Sequence, residues 1–317
     1  MSQKRSGQNN FVFEHRPDLY NLPSSVRDAE VNLHGGFATD PRDGFGQLYY
    51  GMPGRGILRI DADLGKQELI TLPDNLTPLN FHSTKIGQIE GNWRLILPAN
   101  SDEMVAIVTL DGTVDFVLSR PEFEQYQSEE VPFRPTDTVL HENDLYVADG
   151  YGANYISTAD VTTHQWTGIF GGKTEDPSAD GLFATAHGIN LTHDHHHLVI
   201  ADRPSARLQV HDFDGGFDAS YKLPPGSWPC GINFTTYEGH GYAVIGSLRD
   251  PVENRPAPIY ILDAETYEVL STIRPQEELG IEGIQHLHNV VWHTHNGQLY
   301  LVCQAWNPGH YFVLAKV

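Results

Sequence analysis

Residues 187–202 read HGINLTHDHHHLVIAD, which is two short apolar runs separated by a polar turn. Such runs are too short for helices, and the turn residues around them favour β-strands. The arrangement recurs along the chain at intervals of about 40 to 60 residues. The other copies are GGFATDPRDGFGQLYYG (35–51), HSTKIGQIEGNWRLILP (82–98), TDTVLHENDLYVAD (136–149), CGINFTTYEGHGYAVIG (230–246) and HNVVWHTHNGQLYLVC (288–303).

Six copies of this unit predict an all-β fold, a six-bladed β-propeller. A single blade has two apolar faces and buries them only by stacking radially on its neighbours. After the last copy only one more strand remains, YFVLAKV (311–317), so NFVFEH (10–15) is expected to complete the last blade and close the ring. Glycine and proline form no linker-like cluster. We therefore expect a single domain over residues 1–317, with residues 1–10 as a disordered tail.

The charge balance narrows the range of partners. The chain has 41 Asp and Glu against 20 Lys and Arg, a formal net charge of −21, which argues against nucleic acid and anionic membrane surfaces. No apolar run is long enough to span a bilayer, and MSQKRSGQNN at the N-terminus has no apolar stretch behind it. We expect a cytoplasmic monomer, unless a signal peptide has been removed. Two cysteines are too few for a disulfide scaffold.

Propeller geometry places one residue of each blade at the same mouth of the central channel, where the first strand begins. These six residues are Gly35, His82, Thr136, His187, Cys230 and His288. The three histidines lie on alternate blades, about 120° apart in a six-bladed ring, so their imidazoles are expected to converge on the channel axis. Three histidines with an open fourth position are typical of a catalytic zinc site. The alternative is that some of them only satisfy hydrogen bonds at strand ends.

Other histidines have different predicted places. The run Asp194 to His197 lies between two strands and is interpreted as a solvated turn. His34 directly precedes Gly35 and could reach the channel mouth. His286 lies two residues before His288, and residues two apart share a face of a strand, so it is a candidate spare ligand or base.

Two polar residues follow second strands beside the channel mouth. Tyr151 does so in the third blade and Arg203 in the fourth. A tyrosine beside a metal can act as a general base, and an arginine can bind a carboxylate through two parallel hydrogen bonds. The alternatives are a packed aromatic ring and a surface ion pair.

Three segments resemble the peptidyl-α-hydroxyglycine α-amidating lyases, the lyase domain of peptidylglycine amidating enzymes. They are PTDTVLHENDLYVADGYGANYI (135–156), FGG (170–172) and AHGINLTHDHHHLVIADRPSARLQVHDFDGGF (186–217). The similarity is close over about residues 131–217 and looser over the other blades. It implies a propeller of NHL type, a zinc ion held by three histidines that correspond to His82, His187 and His288, a catalytic tyrosine at Tyr151 and a site arginine at Arg203.

The same resemblance implies a structural calcium ion. Its ligands would be the backbone carbonyls of Phe37 and Thr84 and an aspartate that corresponds to Asn289, whose neutral side chain weakens such a site. The family has a methionine two residues before the last histidine, where this chain has His286. Asn289 and His286, two residues at which this chain differs from the family, lie beside the predicted metal site.

Three functions are compatible with these features. The first is a zinc-dependent lyase that cleaves the C–N bond of an α-hydroxyglycine or carbinolamide, either a small molecule or derived from a peptide. The second is a metal-dependent hydrolase or another lyase, with His286 as a further base, because one fold supports many reactions. The third is a non-catalytic NHL-type interaction module, against which the three aligned histidines and the acidity argue.

Overall fold

A computed structural model describes residues 4–20, 34–306 and 310–317. Its strands form six antiparallel sheets, one for each predicted blade, which confirms the six-bladed β-propeller. The strands of blades one to three are β3 (Phe37–Thr39), β4 (Leu48–Met52), β5 (Gly56–Ile60), β6 (Gln67–Ile70), β7 (Lys85–Ile89), β8 (Asn92–Ala99), β9 (Met104–Thr109), β10 (Val114–Ser119), β11 (Asp137–His141), β12 (Asp144–Ala148), β13 (Tyr155–Asp160) and β14 (Gln165–Gly171).

The remaining strands form blades four to six. They are β15 (Ala186–Leu191), β16 (Leu198–Asp202), β17 (Arg207–His211), β18 (Phe217–Lys222), β19 (Pro229–Tyr237), β20 (His240–Ser247), β21 (Ile259–Asp263), β22 (Val269–Ile273), β23 (His286–His295), β24 (Gln298–Trp306) and β25 (His310–Lys316), joined in the last blade by β1 (Arg5–Gln8) and β2 (Phe11–His15). Helical structure in the described residues consists of two short 3₁₀ turns, Pro17–Leu19 and Glu124–Tyr126. Neither is long enough to cross a membrane.

The first strands of the blades form a closed inner ring. Strand β3 contacts β7, β7 contacts β11, and so on through β15, β19 and β23, which contacts β3 again. The ring is closed as predicted, because β2 pairs antiparallel with β25, with Phe13 opposite Lys316 and His15 opposite Leu314. The starts of the six inner strands therefore surround one mouth of a central channel.

Buried apolar side chains form six clusters, and each lies between two neighbouring blades. Ile57 of blade one packs with Leu95 of blade two, and Ile96 on the other face of the same strand packs with Val147 of blade three. Because each strand alternates between two apolar neighbours, each blade is stabilised from both sides.

The predicted disordered tail over residues 1–10 is wrong for Arg5–Gln8, which form β1 as a fifth strand of the last blade. The Ser6 hydroxyl is buried, donates to Glu278 Oε2 at 2.5 Å and accepts from the Arg274 amide at 2.7 Å. These contacts with the neighbouring blade fix a segment that composition alone does not order.

Bulges in the inner strands set the direction of the site residues. In β15 the pairing shifts by one residue between Ala186 and Gly188, which leaves His187 as the extra residue. In β23 the same kind of shift leaves His288 extra. A bulged residue departs from strict alternation and is re-aimed, here at the channel mouth.

Candidate metal centre

The structure brings His82, His187 and His288 together at the channel mouth. Their ring centroids are 4.8 Å apart for His82 and His187, 4.6 Å for His82 and His288, and 5.0 Å for His187 and His288. The Nε2 atoms of His82 and His288 are 3.2 Å apart, close to the separation of about 3.3 Å that two nitrogen ligands have on a tetrahedral zinc ion. All three side chains are buried.

A fourth histidine, His34, completes this cluster. Its ring lies 4.2 Å from that of His82 and 4.6 Å from that of His288. Ring nitrogens of His34, His82 and His288 lie within 4.8 Å of one another, so this group of three could hold a metal ion. The Asn80 side-chain amide donates to His34 Nδ1 at 3.3 Å, which places the proton of a neutral His34 on Nε2. The sequence placed His34 at the mouth but did not count it as a ligand.

Backbone carbonyls orient two of the predicted ligands. His82 Nδ1 lies 2.7 Å from the Thr136 carbonyl oxygen, and His187 Nδ1 lies 3.1 Å from that of Cys230. Each Nδ1 donates, so each Nε2 keeps its lone pair for a metal, the arrangement typical of metal-binding histidines. Thr136 and Cys230 are the residues at the matching positions of blades three and five, so alternate blades supply ligands and supports.

The cluster is electrostatically suited to metal binding. Burial lowers the pKa of His82, His187 and His288 well below the ordinary value, and the neighbouring Arg203 cation acts in the same direction. Burial and Arg203 also lower the pKa of His34 to about 4. The imidazoles are therefore neutral near pH 7, which is the form that binds a metal.

Tyr151 and Arg203 lie directly against the histidines. The Tyr151 hydroxyl is 3.2 Å from His187 Nε2 and accepts a hydrogen bond from Arg203 Nη1 at 2.8 Å. Arg203 Nη2 donates to the sulfur of Cys230 at 3.1 Å, and burial raises the pKa of that thiol. The sequence placed Cys230 at the channel mouth but assigned it no role there.

Arg203 is a buried cation without a carboxylate partner among the described residues. Its side chain belongs to none of their ion pairs, and its Nε is buried without a hydrogen-bond partner. An isolated buried charge is costly. The site is therefore suited to an anionic ligand that would complete the coordination of this guanidinium group.

Two buried aspartates hold the loops that present these residues. Asp149 precedes Tyr151, Asp202 precedes Arg203, and each accepts hydrogen bonds both from the loop that enters its own blade and from a residue that follows Tyr151 or Arg203 in the chain. The donors to Asp149 are Arg134 N (2.6 Å), Ala153 N (2.7 Å) and Tyr126 Oη (2.8 Å), and those to Asp202 are Ala184 N (2.9 Å), Thr185 N (3.0 Å) and Arg207 Nε (3.0 Å). Tyr151 and Arg203 thus stand on rigid supports.

His286 is not brought into the cluster. Its Nδ1 bonds the Leu248 carbonyl oxygen at 2.7 Å, and its ring lies 6.1 Å from that of Trp306. The expectation that His286 and His288 share a face assumed regular alternation. The bulge at His288 breaks that alternation, and the structure gives no support for His286 as a ligand or base of the centre.

The implied calcium ligands belong to Phe37, Thr84 and Asn289. These three residues line one cavity of about 180 Å³ inside the channel. The Asn289 side-chain oxygen, however, accepts a hydrogen bond from the Phe37 amide at 3.1 Å. It is therefore already engaged with the backbone and carries no charge to offer a cation.

A lysine supplies positive charge to the same cavity. Lys85 Nζ lies 3.2 Å from Asp137 Oδ2 and 3.1 Å from the Ile189 carbonyl oxygen. An ammonium group at this position repels a divalent cation and neutralises the carboxylate that would attract one. The residues present therefore do not fit calcium.

We expect calcium to leave the stability of this protein unchanged. Protein in excess calcium and protein dialysed into calcium-free buffer should give melting temperatures within about 1 °C of each other, whereas a ligand at 100 times its Kd would stabilise by about 2.7 kcal/mol and raise the Tm by several degrees. The Lys85→Met, Asn289→Asp double variant removes the ammonium and adds a carboxylate, so calcium should raise its Tm. A calcium-induced rise in the Tm of the unmodified protein would contradict the lysine assignment.

The histidine run lies where the sequence predicted it, in the connection between β15 and β16. The side chain of His196 is 76% exposed, and His195 has a positive φ of 63° that is typical of a turn. The run is at the opposite end of the inner strand from His187, so its side chains face away from the cluster.

No protein-family model and no curated protein matches this sequence. Solved structures do match the fold. A gluconolactonase from Xanthomonas campestris aligns with a TM-score of 0.63 and 11% identity over 98% of this chain and 94% of that one. Virginiamycin B lyase from Staphylococcus aureus aligns with a TM-score of 0.57 and 14% identity over 97% and 88%. The β-propeller domain of Cps50 (Swd1) from Myceliophteria thermophila aligns with 0.56 and 12% over 100% and 97%.

These similarities show the class of fold. Identities of 11% to 14% establish a β-propeller and no particular activity. They do not support the amidating lyases in particular, so the function has to be argued from the centre itself.

Proposed function

We propose that this protein is a metal-dependent carbon–nitrogen lyase that cleaves a carbinolamide, an N–C(OH) unit bearing a carboxylate. The observation that carries the proposal is the contact chain from Arg203 through the Tyr151 hydroxyl to His187 at the edge of a buried histidine cluster. This chain combines a cation for the carboxylate, a proton acceptor and neutral metal-binding nitrogens within hydrogen-bond distances. Propeller lyases are represented among the similar structures.

The ligands we propose are His82, His187 and His288. His34 is close enough by distance, but the Asn80 amide bound to its Nδ1 leaves the proton on Nε2. His34 would then donate a hydrogen bond into the centre. Three imidazoles leave one position open, and the chemistry that zinc or another divalent metal supplies there is polarisation of the substrate hydroxyl.

The protein residues would carry the remaining steps. Arg203 binds the substrate carboxylate, which resolves its unpaired buried charge and fixes the reacting carbon. Tyr151, whose hydroxyl oxygen accepts a hydrogen bond from Arg203 Nη1, acts as the general base toward the substrate hydroxyl. The O–H electron pair becomes the second bond of an aldehyde, the C–N bond breaks with its electrons on nitrogen, and Tyr151 returns the proton to that nitrogen. The products are an amide, or urea, and glyoxylate.

The other functions have weaker support. For a hydrolase, the residue suggested as a further base was His286, and it contacts Leu248 outside the cluster. An interaction module does not require four buried histidines around an unpaired arginine. The lyase is the reaction for which the centre has a residue at each step.

Two measurements test this function. Protein purified without a nickel column should contain about one transition metal per chain. The metal-loaded protein should release glyoxylate from at least one member of a set of N-acyl-α-hydroxyglycines and ureidoglycolate. A metal-free protein, or a metal-loaded one that releases no glyoxylate from the whole set, would overturn the proposal.

Arg203→Lys should raise KM and lower kcat/KM for the carboxylate substrate by about tenfold or more, because lysine keeps the charge but loses the planar pair of donors. Metal content should remain near one per chain. A structural role alone would instead lower the Tm and leave the kinetic constants of the folded protein unchanged, so thermal melts are measured beside the kinetics.

A further inference from the structure

A second cavity opens beside the histidine cluster, between the loops of blades five and six. Its volume is about 530 Å³. Trp228 of its wall lies two residues before Cys230, and His286 lies two residues before His288. The lining residues that matter for its chemistry are Trp228, Arg249, Glu253, Gln285 and His286.

A row of rings connects this cavity with the centre. The ring of His286 lies 6.1 Å from that of Trp306, which lies 6.1 Å from that of His34, which in turn lies 4.6 Å from that of His288. These rings form an aromatic wall from the cavity to the proposed ligands. An extended molecule held at the centre would therefore reach the cavity along that wall.

The loop that forms the cavity is rigidly anchored. The Asp250 carboxylate is fully buried and accepts hydrogen bonds from Val252 N at 2.7 Å, Arg255 Nε at 2.7 Å and Arg274 Nη1 at 2.8 Å. At the other side, the Leu248 carbonyl oxygen is bound by His286. A loop fixed at both positions presents the residue between them, Arg249, in a defined place.

Arg249 is the cation that this loop leaves unpaired. Its guanidinium carbon lies 3.7 Å above the centroid of the Trp228 ring. Arg255 and Arg274 share Asp250, whereas no described carboxylate lies within 4 Å of Arg249. Stacking on tryptophan fixes the plane of the guanidinium and leaves its N–H edge free for a bidentate contact.

We infer that this cavity is a substrate subsite in which Arg249 binds a second carboxylate, at the far end of the acyl group. The inference rests on the proposed function and specifies its substrate class: an N-acyl-α-hydroxyglycine whose acyl chain ends in a carboxylate. Arg203 binds the carboxylate next to the reacting carbon, the acyl chain runs along Trp306, and Arg249 binds the terminal one. Glu253 lies on the exposed rim, and its negative charge opposes the binding of a carboxylate. Removing that charge should therefore strengthen binding, which tests whether the ligand is an anion.

Binding is tested without catalysis, by calorimetry with succinamate on the metal-loaded protein. Succinamate has the amide and terminal carboxylate of the expected product. Arg249→Gln should weaken its binding about tenfold, and Glu253→Gln should strengthen it. Arg59→Gln, which removes a half-buried arginine of blade one that pairs with Glu68, should leave it unchanged. Equal affinities for the unmodified protein and Arg249→Gln, or no binding to the unmodified protein, would overturn the subsite.

Catalysis gives the second readout, as the ratio of kcat/KM for N-succinyl-α-hydroxyglycine to that for N-acetyl-α-hydroxyglycine. The ratio should exceed one and fall about tenfold in Arg249→Gln, but not in Arg59→Gln. A ratio that Arg249→Gln does not change contradicts the subsite while the lyase activity stands. If neither compound is cleaved but succinamate binds in an Arg249-dependent way, the proposed reaction fails and the subsite stands.

Discussion

Replacing His82, His187 or His288 with glutamine is expected to remove the metal and the activity together. Loss of a residue that hydrogen-bonds to a metal ligand already lowers metal affinity about 10- to 100-fold. Loss of the ligand itself should therefore lower the affinity by more than about 100-fold. Metal content after dialysis should fall from about one per chain to near zero. Metal analysis and glyoxylate release measure the two effects on the same samples.

His34→Gln is the variant that distinguishes the possible ligand sets. If His34 only donates a hydrogen bond, this variant keeps its metal, whereas His187→Gln loses it. The reverse result would show that the metal is held by the His34, His82 and His288 group whose nitrogens lie within 4.8 Å of one another. The triple replacement of His195, His196 and His197 with serine is the matched control, because these turn residues lie at the far end of the inner strand from His187 and should have no effect.

Tyr151→Phe is expected to lower kcat by about 10²- to 10⁴-fold, the usual contribution of a general base, with the metal still bound. The substitution keeps the ring beside His82 and His187 and removes only the hydroxyl between Arg203 and His187. Single-turnover kinetics and metal analysis test this expectation.

The control for this variant is Tyr237→Phe. Tyr237 ends β19, at the opposite end of the strand from Cys230, so removing its hydroxyl should leave kcat unchanged. Normal turnover by Tyr151→Phe would eliminate the proposed proton transfer. A lowered Tm with unchanged kcat would show that Tyr151 only packs in the loop held by Asp149.

The repeat in the sequence was sufficient to predict the ring and much of its centre. Apolar runs at a regular spacing indicate a local property, namely that each blade has two apolar faces. One position in each repeat marks the start of the inner strand and therefore the channel mouth. That logic selected His82, His187 and His288, and the loop positions of Tyr151 and Arg203, which the structure places within contact of one another. It also selected β2 as the closing strand, because the last copy lacked one.

Tertiary structure decided what local alternation does not encode. The bulge at His288 broke the alternation that would have put His286 and His288 on one face, and His286 instead contacts the Leu248 carbonyl oxygen. His34 entered the cluster from a segment before the first strand of its blade, through contacts with His82 and His288. Lys85 brought positive charge into the cavity lined by the implied calcium ligands through contacts with Asp137 and Ile189 of other blades. These contacts join residues far apart in the chain, and only the closed ring brings them within a few ångströms.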